Sequence, residues 1–208
     1  MARLKGRGGV ILYNSPISGN CYKVRLLAAH LGIPLELREV DVIDRSDPRD
    51  ALAGLNPVRR APTLVLDDGR PLAESNAIIW YLGEGSRFVP ENRYDRAKAL
   101  QWMFFEQYEH EPAIAIARFL KTYSTRPEIW ETQREHLTKR GVKALAALEL
   151  GLEARDWLAG DGMTVADIAL YAYTHCADEG GFSLAGYPAI GAWLDRVAAQ
   201  PAHVLITA

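Results

Sequence analysis

The stretch from Asn56 to Ser75, NPVRRAPTLVLDDGRPLAES, contains the strongest local folding signals of this chain. Pro62 has no backbone N–H group, so it suits the first position or the edge of a strand and predicts a short strand over Thr63–Leu66. The Asp68-Gly69 pair between two apolar runs is a strong signal for a tight hairpin turn. It predicts a return strand over Pro71–Ala73, and the stretch is therefore expected to form a β-hairpin.

The corner at the end of this hairpin combines exposed backbone, a carboxylate and a predicted helix start. Ser75 is interpreted as the N-cap of a helix over Asn76–Leu82, and a helix start attracts carboxylates through its N–H groups. If the Ala61-Pro62 bond is cis, the backbone of Ala61 faces outward and can pair with an extended peptide. With Glu74 as acceptor for an ammonium group, the corner suits a small charged peptide. The alternative is an ordinary hairpin whose polar residues only cap a helix.

Composition places the chain among ordinary globular proteins. It has 208 residues, enough for one large domain or two small ones, and 49% of them are hydrophobic. A formal net charge of −2 argues against nucleic acid as a partner. The two cysteines, Cys21 and Cys176, have no paired spacing, and the five histidines form no close metal-ligand pair. We therefore expect no disulfide framework, no metal and a reducing compartment.

Signals for secretion or membrane insertion are not apparent in the sequence. The first nine residues are basic but have no apolar core of the kind that secretory signals contain. No apolar run approaches the roughly 20 residues needed to span a bilayer. We therefore expect a cytoplasmic protein without a membrane partner.

The first half of the chain alternates between strand and helix patterns. Val10–Tyr13 is a short apolar strand, Cys21–Leu31 has helical periodicity, and Leu35–Val42 alternates as a strand. A short helix over Asp47–Leu55 is expected to precede the hairpin and its closing helix. The order β-α-β-α-β-β-α predicts a small α/β sandwich over residues 8–84 that resembles the thioredoxin fold, with parallel strands in its βαβ part.

The second half has no strand signals and predicts an all-α bundle over residues 94–208, after a linker at 85–93. A long helical pattern covers Tyr94–Leu120, and Pro112 within it is expected to kink or break the helix because proline removes one backbone hydrogen bond. Three further helices are predicted: Pro127–Asp156, Thr164–Ala177 and Tyr187–Ala199.

A capping box is predicted where the Thr164 helix begins. Thr164 can accept a hydrogen bond from the Asp167 N–H while the Asp167 carboxylate accepts one from the Thr164 N–H. A catalytic role for Asp167 is the less favoured alternative, because its position explains it structurally. Replacing Asp167 with alanine is expected to cost about 1 kcal/mol or more, the scale of a lost cap.

Four pieces of the sequence are specific in their combined order and spacing: Leu12–Leu26, Asn56–Leu64, Glu74–Ile78 and Thr164–Asp167. With these pieces the chain resembles the cytosolic glutathione transferases over nearly its whole length. The resemblance implies a thioredoxin-like domain that binds glutathione, an all-α domain that holds a hydrophobic electrophile, and a homodimer.

The resemblance also implies the contacts to glutathione. The backbone of Ala61, ahead of Pro62, would pair with the cysteinyl part of the peptide. Glu74 and Ser75 would bind the γ-glutamyl ammonium and carboxylate. Arg60 stands where the family often has Gln, His or Lys, near the carboxylate of the glycine end.

For the electrophile pocket, the resemblance points to the long helix of the second half. Phe105, Tyr108 and Tyr171 are candidate lining residues, although aromatic residues at helical spacing are more often core. Arg118 can meet an anionic group or face water, and the water-facing position is favoured.

The resemblance places the catalytic donors at the start of the first helix. Several classes use a tyrosine after the first strand, but that position is Asn14 here, and strand alternation turns Tyr13 to the other face. Ser18 matches the serine or threonine of other classes, and Asn20 matches an asparagine found in some bacterial and fungal branches. Cys21 does not align cleanly with the catalytic cysteine of one bacterial class, and a buried packing cysteine is favoured.

Ser18 and Asn20 suit the chemistry of a thiol. A free thiol has a pKa near 8.5, so only a small fraction is thiolate at neutral pH. Lowering that pKa by two units requires about 2.7 kcal/mol in favour of the anion. A hydroxyl donor, an amide donor and the helix start can together supply it. The alternative is that both residues only cap the helix.

Transfer of glutathione to an electrophile is the favoured reaction, with three alternatives. The Ser-x-Asn pattern also resembles branches that reduce peroxides or disulfides with two glutathiones, a reaction that Cys21 can join through a mixed disulfide. The other two are a non-catalytic binding module and a glutathione-assisted isomerase, whose Ser-Ser-Cys run this chain matches only in part.

Overall fold

The computed structural model describes residues 9–43 and 50–208. It groups the chain into two compact units. The first extends to Val89 and also includes Pro201–Ala208, and the second is Pro90–Gln200. The predicted α/β and all-α halves correspond to these units, except that the sequence pattern assigned residues 201–208 to the helical half.

In the described residues, the first unit contains a four-stranded mixed sheet with the strand order β2-β1-β3-β4. Its elements, in chain order, are β1 (Val10–Asn14), α1 (Gly19–Leu31), β2 (Leu35–Glu39), β3 (Thr63–Val65), β4 (Pro71–Ala73) and α2 (Ser75–Gly83). The predicted helix over Asp47–Leu55 lies partly outside the described residues. The α/β architecture with a hairpin and a closing helix is confirmed.

The sheet is built around β1, which is central and alternates between buried and half-buried residues. Leu12 lies opposite Leu37 in the parallel partner β2 and opposite Leu64 in the antiparallel partner β3. The parallel βαβ pairing predicted from the sequence is therefore confirmed. Leu12 and Leu64 are fully buried, which fixes the register because a slip of one residue would turn both to the other face.

Helix α1 has clear signals at both ends. Ser18 is its N-cap, and Gly32 ends it in the left-handed conformation with a φ of 65°. Only glycine adopts this conformation readily, so Gly32 is a typical C-terminal cap.

The interpretation of Ser75 as the N-cap of α2 was wrong. Ser75 is the first helical residue, and the N-cap position belongs to Glu74, whose side chain makes no capping hydrogen bond. Glu74 has a φ of 67°, a conformation that costs energy in any residue with a side chain. The helix therefore begins without a capping hydrogen bond from the side chain of its N-cap residue.

The second unit is helical throughout its regular structure in the described residues. Its elements are α3 (Arg93–Phe105), a π-helical turn (Glu106–His110), α4 (Glu111–Thr122), α5 (Pro127–Leu152), α6 (Val165–Thr174), a 3₁₀ turn (Ala177–Gly180) and α7 (Pro188–Ala198). The predicted all-α half is confirmed.

The long helical pattern of the second half is interrupted where Pro112 predicted it. The π-helical turn separates α3 from α4, and Pro112 lies in the first turn of α4. The π-helical turn lies directly ahead of this proline, which has no N–H to donate to the preceding turn. The Glu111 N–H donates to the Glu106 carbonyl five residues back, the hydrogen bond of a π-helix.

The predicted capping box at the start of α6 is confirmed, and it is part of a larger buried cluster. The Thr164 N–H and hydroxyl donate to one carboxylate oxygen of Asp167 at 2.8 and 2.9 Å. The other oxygen accepts from the Leu158 N–H and the Trp193 indole N–H, both at 3.0 Å. Burial raises the pKa of Asp167, and these hydrogen bonds oppose that rise. Asp167 thus connects three separate segments of the helical unit.

The segment Pro201–Ala208 joins the first unit through two side chains of α1. The Tyr22 hydroxyl donates to the Val204 carbonyl at 2.7 Å, and Arg25 donates to the carbonyls of Ile206 and Ala208. Tyr22 is fully buried and Arg25 nearly so. These long-range bonds explain why this segment packs with the α/β unit.

His30 of α1 lies near this segment, and its ring is tilted against Phe88 with the ring centres 5.5 Å apart. Burial lowers the pKa of His30 to about 4, and the charges of Arg87 and His203 act in the same direction. His30 is therefore neutral at physiological pH.

In the described part of the chain, no helix combines the length and the apolar composition that a membrane crossing needs.

Candidate functional site

The start of α1 gathers polar groups at the end of β1. The Ser18 Oγ accepts a hydrogen bond from the Cys21 N–H at 3.3 Å, which is the N-cap bond of this helix. A hydroxyl that accepts one bond still has a proton to donate. Ser18 is half-buried, and its side chain also forms a hydrogen bond with the Cys21 thiol that acts to lower the pKa of that thiol.

Cys21 is fully buried beside this helix start. Its Sγ accepts a hydrogen bond from the Ser15 N–H at 3.3 Å. Burial raises the pKa of the Cys21 thiol, which outweighs the lowering by its hydrogen bonds and by Arg25. Cys21 is therefore a protonated packing residue, and it lacks the exposure of a reactive cysteine.

Asn20 and Ser75 lie far apart in the sequence but are in direct contact. The Ser75 hydroxyl donates to Asn20 Oδ1 at 3.1 Å. Lys23 Nζ donates to Ser75 Oγ at 3.3 Å and to Asn76 Oδ1 at 3.2 Å. Lys23 is 0% exposed and Ser75 is buried, while Asn20 is half-buried. A chain of hydrogen bonds thus runs from a buried ammonium group through Ser75 to the start of α1.

The loop before β3 meets the condition under which the backbone of Ala61 was expected to face outward. The Ala61-Pro62 bond is cis. The Asn56 amide donates to the Arg60 carbonyl and to Thr63 Oγ1, both at 3.0 Å. Asn56 and Thr63 are buried, so they brace this loop from beneath.

The remaining residues of the predicted glutathione corner border this loop and the start of α2. Arg60 and Glu74 are exposed, Ala61 is half-buried, and Pro62 is buried. The positive φ of Glu74 is a strained backbone conformation of the kind that clusters at binding sites. All the residues predicted to hold glutathione belong to the first unit.

Strand alternation separates Tyr13 from Asn14 as predicted. Asn14 lies on the buried side of β1, and its Oδ1 has no hydrogen-bond partner among the described residues. Tyr13 is half-buried on the opposite side, where Arg38 lies over its ring at 5.9 Å. Tyr13 is thus not in the position of the tyrosine that several classes use.

The three aromatic candidates for the electrophile pocket have different surroundings within the helical unit. Tyr108 is 76% exposed and lines an open groove of about 540 Å³. Phe105 is half-buried and packs edge-on against Trp102. Tyr171 is buried, and burial raises its pKa to about 12. Its ring stacks on His175, an arrangement typical of a core residue.

The expectation that Arg118 faces water was wrong. Arg118 is buried, and its guanidinium donates to a carboxylate oxygen of Glu179 at 2.8 Å and to the Tyr123 hydroxyl at 2.9 Å. A buried arginine needs such partners because an unpaired charge in the interior is costly. Arg118 therefore has a structural role between α4 and the 3₁₀ turn.

Two residues of the site were missed as contributors by the sequence reasoning, namely Lys23 and Asn56. Lys23 lies three residues after Asn20 on α1, a spacing that puts both on one helix face. Its position four residues before Leu27 of the apolar face was the available signal that it is buried.

No group of three or more His, Cys, Asp and Glu residues is placed to hold a metal ion within residues 9–43 and 50–208.

A thioredoxin-like sheet unit combined with an all-helical unit is the architecture of the cytosolic glutathione transferases. The model of the glutathione S-transferase N-terminal domain matches residues 17–84, and that of the C-terminal domain matches residues 102–201. The chain belongs to the glutathione S-transferase family.

Individual relatives agree with this assignment. A glutathione S-transferase of Anopheles gambiae is 30% identical over 89% of this chain and 84% of its own length. The disulfide-bond oxidoreductase YfcG of Escherichia coli is 28% identical over 92% of this chain and 91% of its own length. The crystal structure of a glutathione S-transferase from Pseudomonas fluorescens is 46% identical, with a TM-score of 0.90 over 97% of this chain and 100% of that one.

Proposed function

We propose that the protein binds glutathione at the corner formed by the Ala61-Pro62 loop, Glu74 and Ser75, and transfers it to an electrophilic small molecule. The observation that carries this proposal is the 3.1 Å hydrogen bond between Ser75 and Asn20. It brings Ser75, the predicted contact of the γ-glutamyl group, next to Asn20, one of the two predicted thiolate donors. Family membership supports the same ligand.

The residues around this corner suit the parts of the tripeptide. The backbone of Ala61 pairs with the cysteinyl segment as an added strand does. Ser75 and the N–H groups at the start of α2 receive the γ-glutamyl carboxylate, and the exposed Glu74 receives the ammonium group. Arg60 is exposed near the same loop and suits the carboxylate of the glycine end.

Catalysis follows from donors that favour the thiolate over the thiol. The Ser18 hydroxyl and the Asn20 amide donate to the sulfur, and the start of α1 adds the partial positive charge of a helix N-terminus. The thiolate then attacks the electrophile and displaces its leaving group or adds to its double bond. Holding both reactants together supplies the remaining rate enhancement.

The helical unit is proposed to hold the electrophile. The exposed Tyr108 and the half-buried Phe105 are the candidates that a ligand can reach. Tyr171 remains a candidate from the sequence, and its burial favours the core role.

A homodimer in the cytoplasm is the assembly that the family resemblance supports, and light scattering after gel filtration measures the assembly directly.

The test combines binding with one variant. Calorimetry with millimolar glutathione is expected to show binding, and bound glutathione is expected to show ultraviolet thiolate absorbance near neutral pH. Ser18→Ala is expected to lower turnover with chlorodinitrobenzene roughly 10- to 100-fold, the effect of a thiol pKa raised by 1–2 units, with little change in glutathione affinity. Ser183→Ala, an exposed serine of the helical unit, is the control. No heat of binding would favour a non-catalytic role, and full turnover in Ser18→Ala would exclude Ser18 as the donor.

Disulfide reduction is the second candidate, because the similarity to YfcG covers most of both chains. In this reaction one glutathione thiolate attacks a disulfide and releases a thiolate. A second glutathione then resolves the mixed disulfide, which yields oxidised glutathione and a second thiolate. Cys21 is too buried to take either place. Reduction of hydroxyethyl disulfide, measured beside the conjugation assay, separates the two reactions.

A further inference from the structure

We infer that Lys23 is a positioning residue that acts through Ser75 to aim the Asn20 amide at the sulfur of glutathione. The inference rests on the proposed function and adds a residue to it. It depends on two hydrogen bonds in series, from Lys23 Nζ to Ser75 Oγ at 3.3 Å and from the Ser75 hydroxyl to Asn20 Oδ1 at 3.1 Å.

The direction of this relay follows from the donor properties of its members. A lysine ammonium has three donors and no acceptor, so Ser75 Oγ must accept from Lys23. The single proton of the Ser75 hydroxyl then points to Asn20 Oδ1. With its oxygen engaged on this side, the Asn20 amide is oriented so that Nδ2 is the donating group on the other side.

Charge at the beginning of the relay strengthens the bonds that follow. Lys23 is fully buried and Ser75 is nearly so, and in such surroundings each hydrogen bond polarises the next. Bonds that begin at an ionised group are stronger than neutral ones. The relay thus makes the Asn20 amide a more rigid and stronger donor to a thiolate.

The relay also links the site proposed for the γ-glutamyl group with the site proposed for the sulfur of the central cysteinyl residue. Ser75 is the predicted contact of the γ-glutamyl carboxylate, and its one hydroxyl proton cannot serve that carboxylate and Asn20 at once. The hydroxyl proton that Lys23 directs toward Asn20 therefore supports the donor at the sulfur, while the N–H groups that begin α2 remain for the carboxylate. The proposed γ-glutamyl contact and the proposed thiolate donor therefore meet at one residue, Ser75, through different groups of that residue.

A purely structural role for Lys23 is the competing explanation. Lys23 also donates to Asn76 Oδ1 at 3.2 Å and could simply hold the start of α2 in place. A structural role predicts lower thermal stability and weaker glutathione binding with an unchanged pKa of the bound thiol. The relay predicts a change in that pKa.

The experiment measures the pKa of bound glutathione by its ultraviolet thiolate absorbance, together with kcat and glutathione affinity. Lys23→Met, which keeps the length of the side chain, is expected to raise this pKa by about 0.5–1 unit. The thiolate fraction and kcat below the pKa would then fall roughly 3- to 10-fold, with a smaller change in affinity. Lys143→Met, which removes an exposed lysine of α5, is expected to change none of these.

The double variant Lys23→Met/Asn20→Ala shows whether Lys23 changes the pKa of the bound thiol through Asn20 or directly. If Lys23 acts through Asn20, Lys23→Met adds little to the pKa shift of Asn20→Ala. A full additional shift would mean that the charge of Lys23 acts directly, and it would overturn the inference. If Lys23→Met fails to fold, Ser75→Ala breaks the relay from its middle, and the same non-additive pKa shift with Asn20→Ala is expected. An unshifted thiol pKa with normal glutathione binding refutes the relay alone, whereas absence of glutathione binding to the wild-type protein refutes the proposed function as well.

Discussion

Replacing Asp167 with alanine should destabilise the protein far more than the loss of a helix cap. The carboxylate accepts hydrogen bonds from the Leu158 N–H, the Trp193 indole N–H and two groups of Thr164, all in a fully buried site. Each buried donor left without an acceptor costs about 1–3 kcal/mol. Simple addition of four such terms would overestimate the cost, because the surroundings relax and single substitutions rarely cost more than about 4–5 kcal/mol. We therefore expect a loss of about 3–5 kcal/mol, against about 1 kcal/mol for a cap alone.

The matched control is Asn92→Ala at the start of α3. Asn92 Oδ1 accepts from the N–H groups of Tyr94 and Asp95 at an exposed helix start. This substitution removes a cap without leaving buried donors, so it should cost about 1 kcal/mol. Urea unfolding followed by circular dichroism gives both free energies of unfolding, provided that the m-values agree.

The comparison can refute the reasoning directly. If Asp167→Ala costs no more than Asn92→Ala, the bonds from Leu158 and Trp193 contribute nothing and Asp167 is only a cap. A second check uses Trp193→Phe, which removes the indole donor. This substitution should cost less in the Asp167→Ala background than in the wild-type protein, because the acceptor has already gone.

Two further predictions concern packing and pH. A Cβ atom on Gly151 would lie 2.4 Å from the ring of Trp102, so Gly151→Ala should lower the free energy of unfolding by about 1–3 kcal/mol. Gly191→Ala, where a Cβ meets nothing within 4 Å, should instead raise it by about 0.5–1 kcal/mol; equal effects in thermal melts would contradict this. His30 has a folded-state pKa of about 4 against an ordinary 6.5, so the native state binds fewer protons and stability falls as the pH drops through this window. Allowing for solvent screening of a half-buried ring, His30→Gln should remove about 1–2 kcal/mol of the loss between these pH values, and an unchanged pH profile of unfolding would exclude His30 as its source.

The elements that the sequence predicted well are those with local causes. Pro62 and the Asp68-Gly69 turn mark the hairpin because proline and glycine restrict or free the backbone of their own residues. The interruption near Pro112 and the capping box of Thr164 have the same origin. Each of these signals acts over a few residues, so it can be identified without knowing the rest of the fold.

The elements that the sequence missed depend on contacts between distant segments. Arg118 was expected to face water, but its ion pair with Glu179 joins residues 61 positions apart. Ser75 was interpreted as a local cap, but its hydroxyl bonds to Asn20, 55 positions away. No local pattern predicts such partners, because burial of a charged or polar side chain becomes favourable only when its partner is already in place.

By itself, the sequence determined the order of helices and strands, the hairpin, the capping box of Thr164 and the family resemblance, since backbone preferences and motif spacing are properties of neighbouring residues. Only the tertiary structure decided that Lys23 is buried beneath Ser75 and that Pro201–Ala208 packs on α1. Packing of distant segments excludes water from these groups and thereby selects their partners, and that selection is what turns separate motifs into one site.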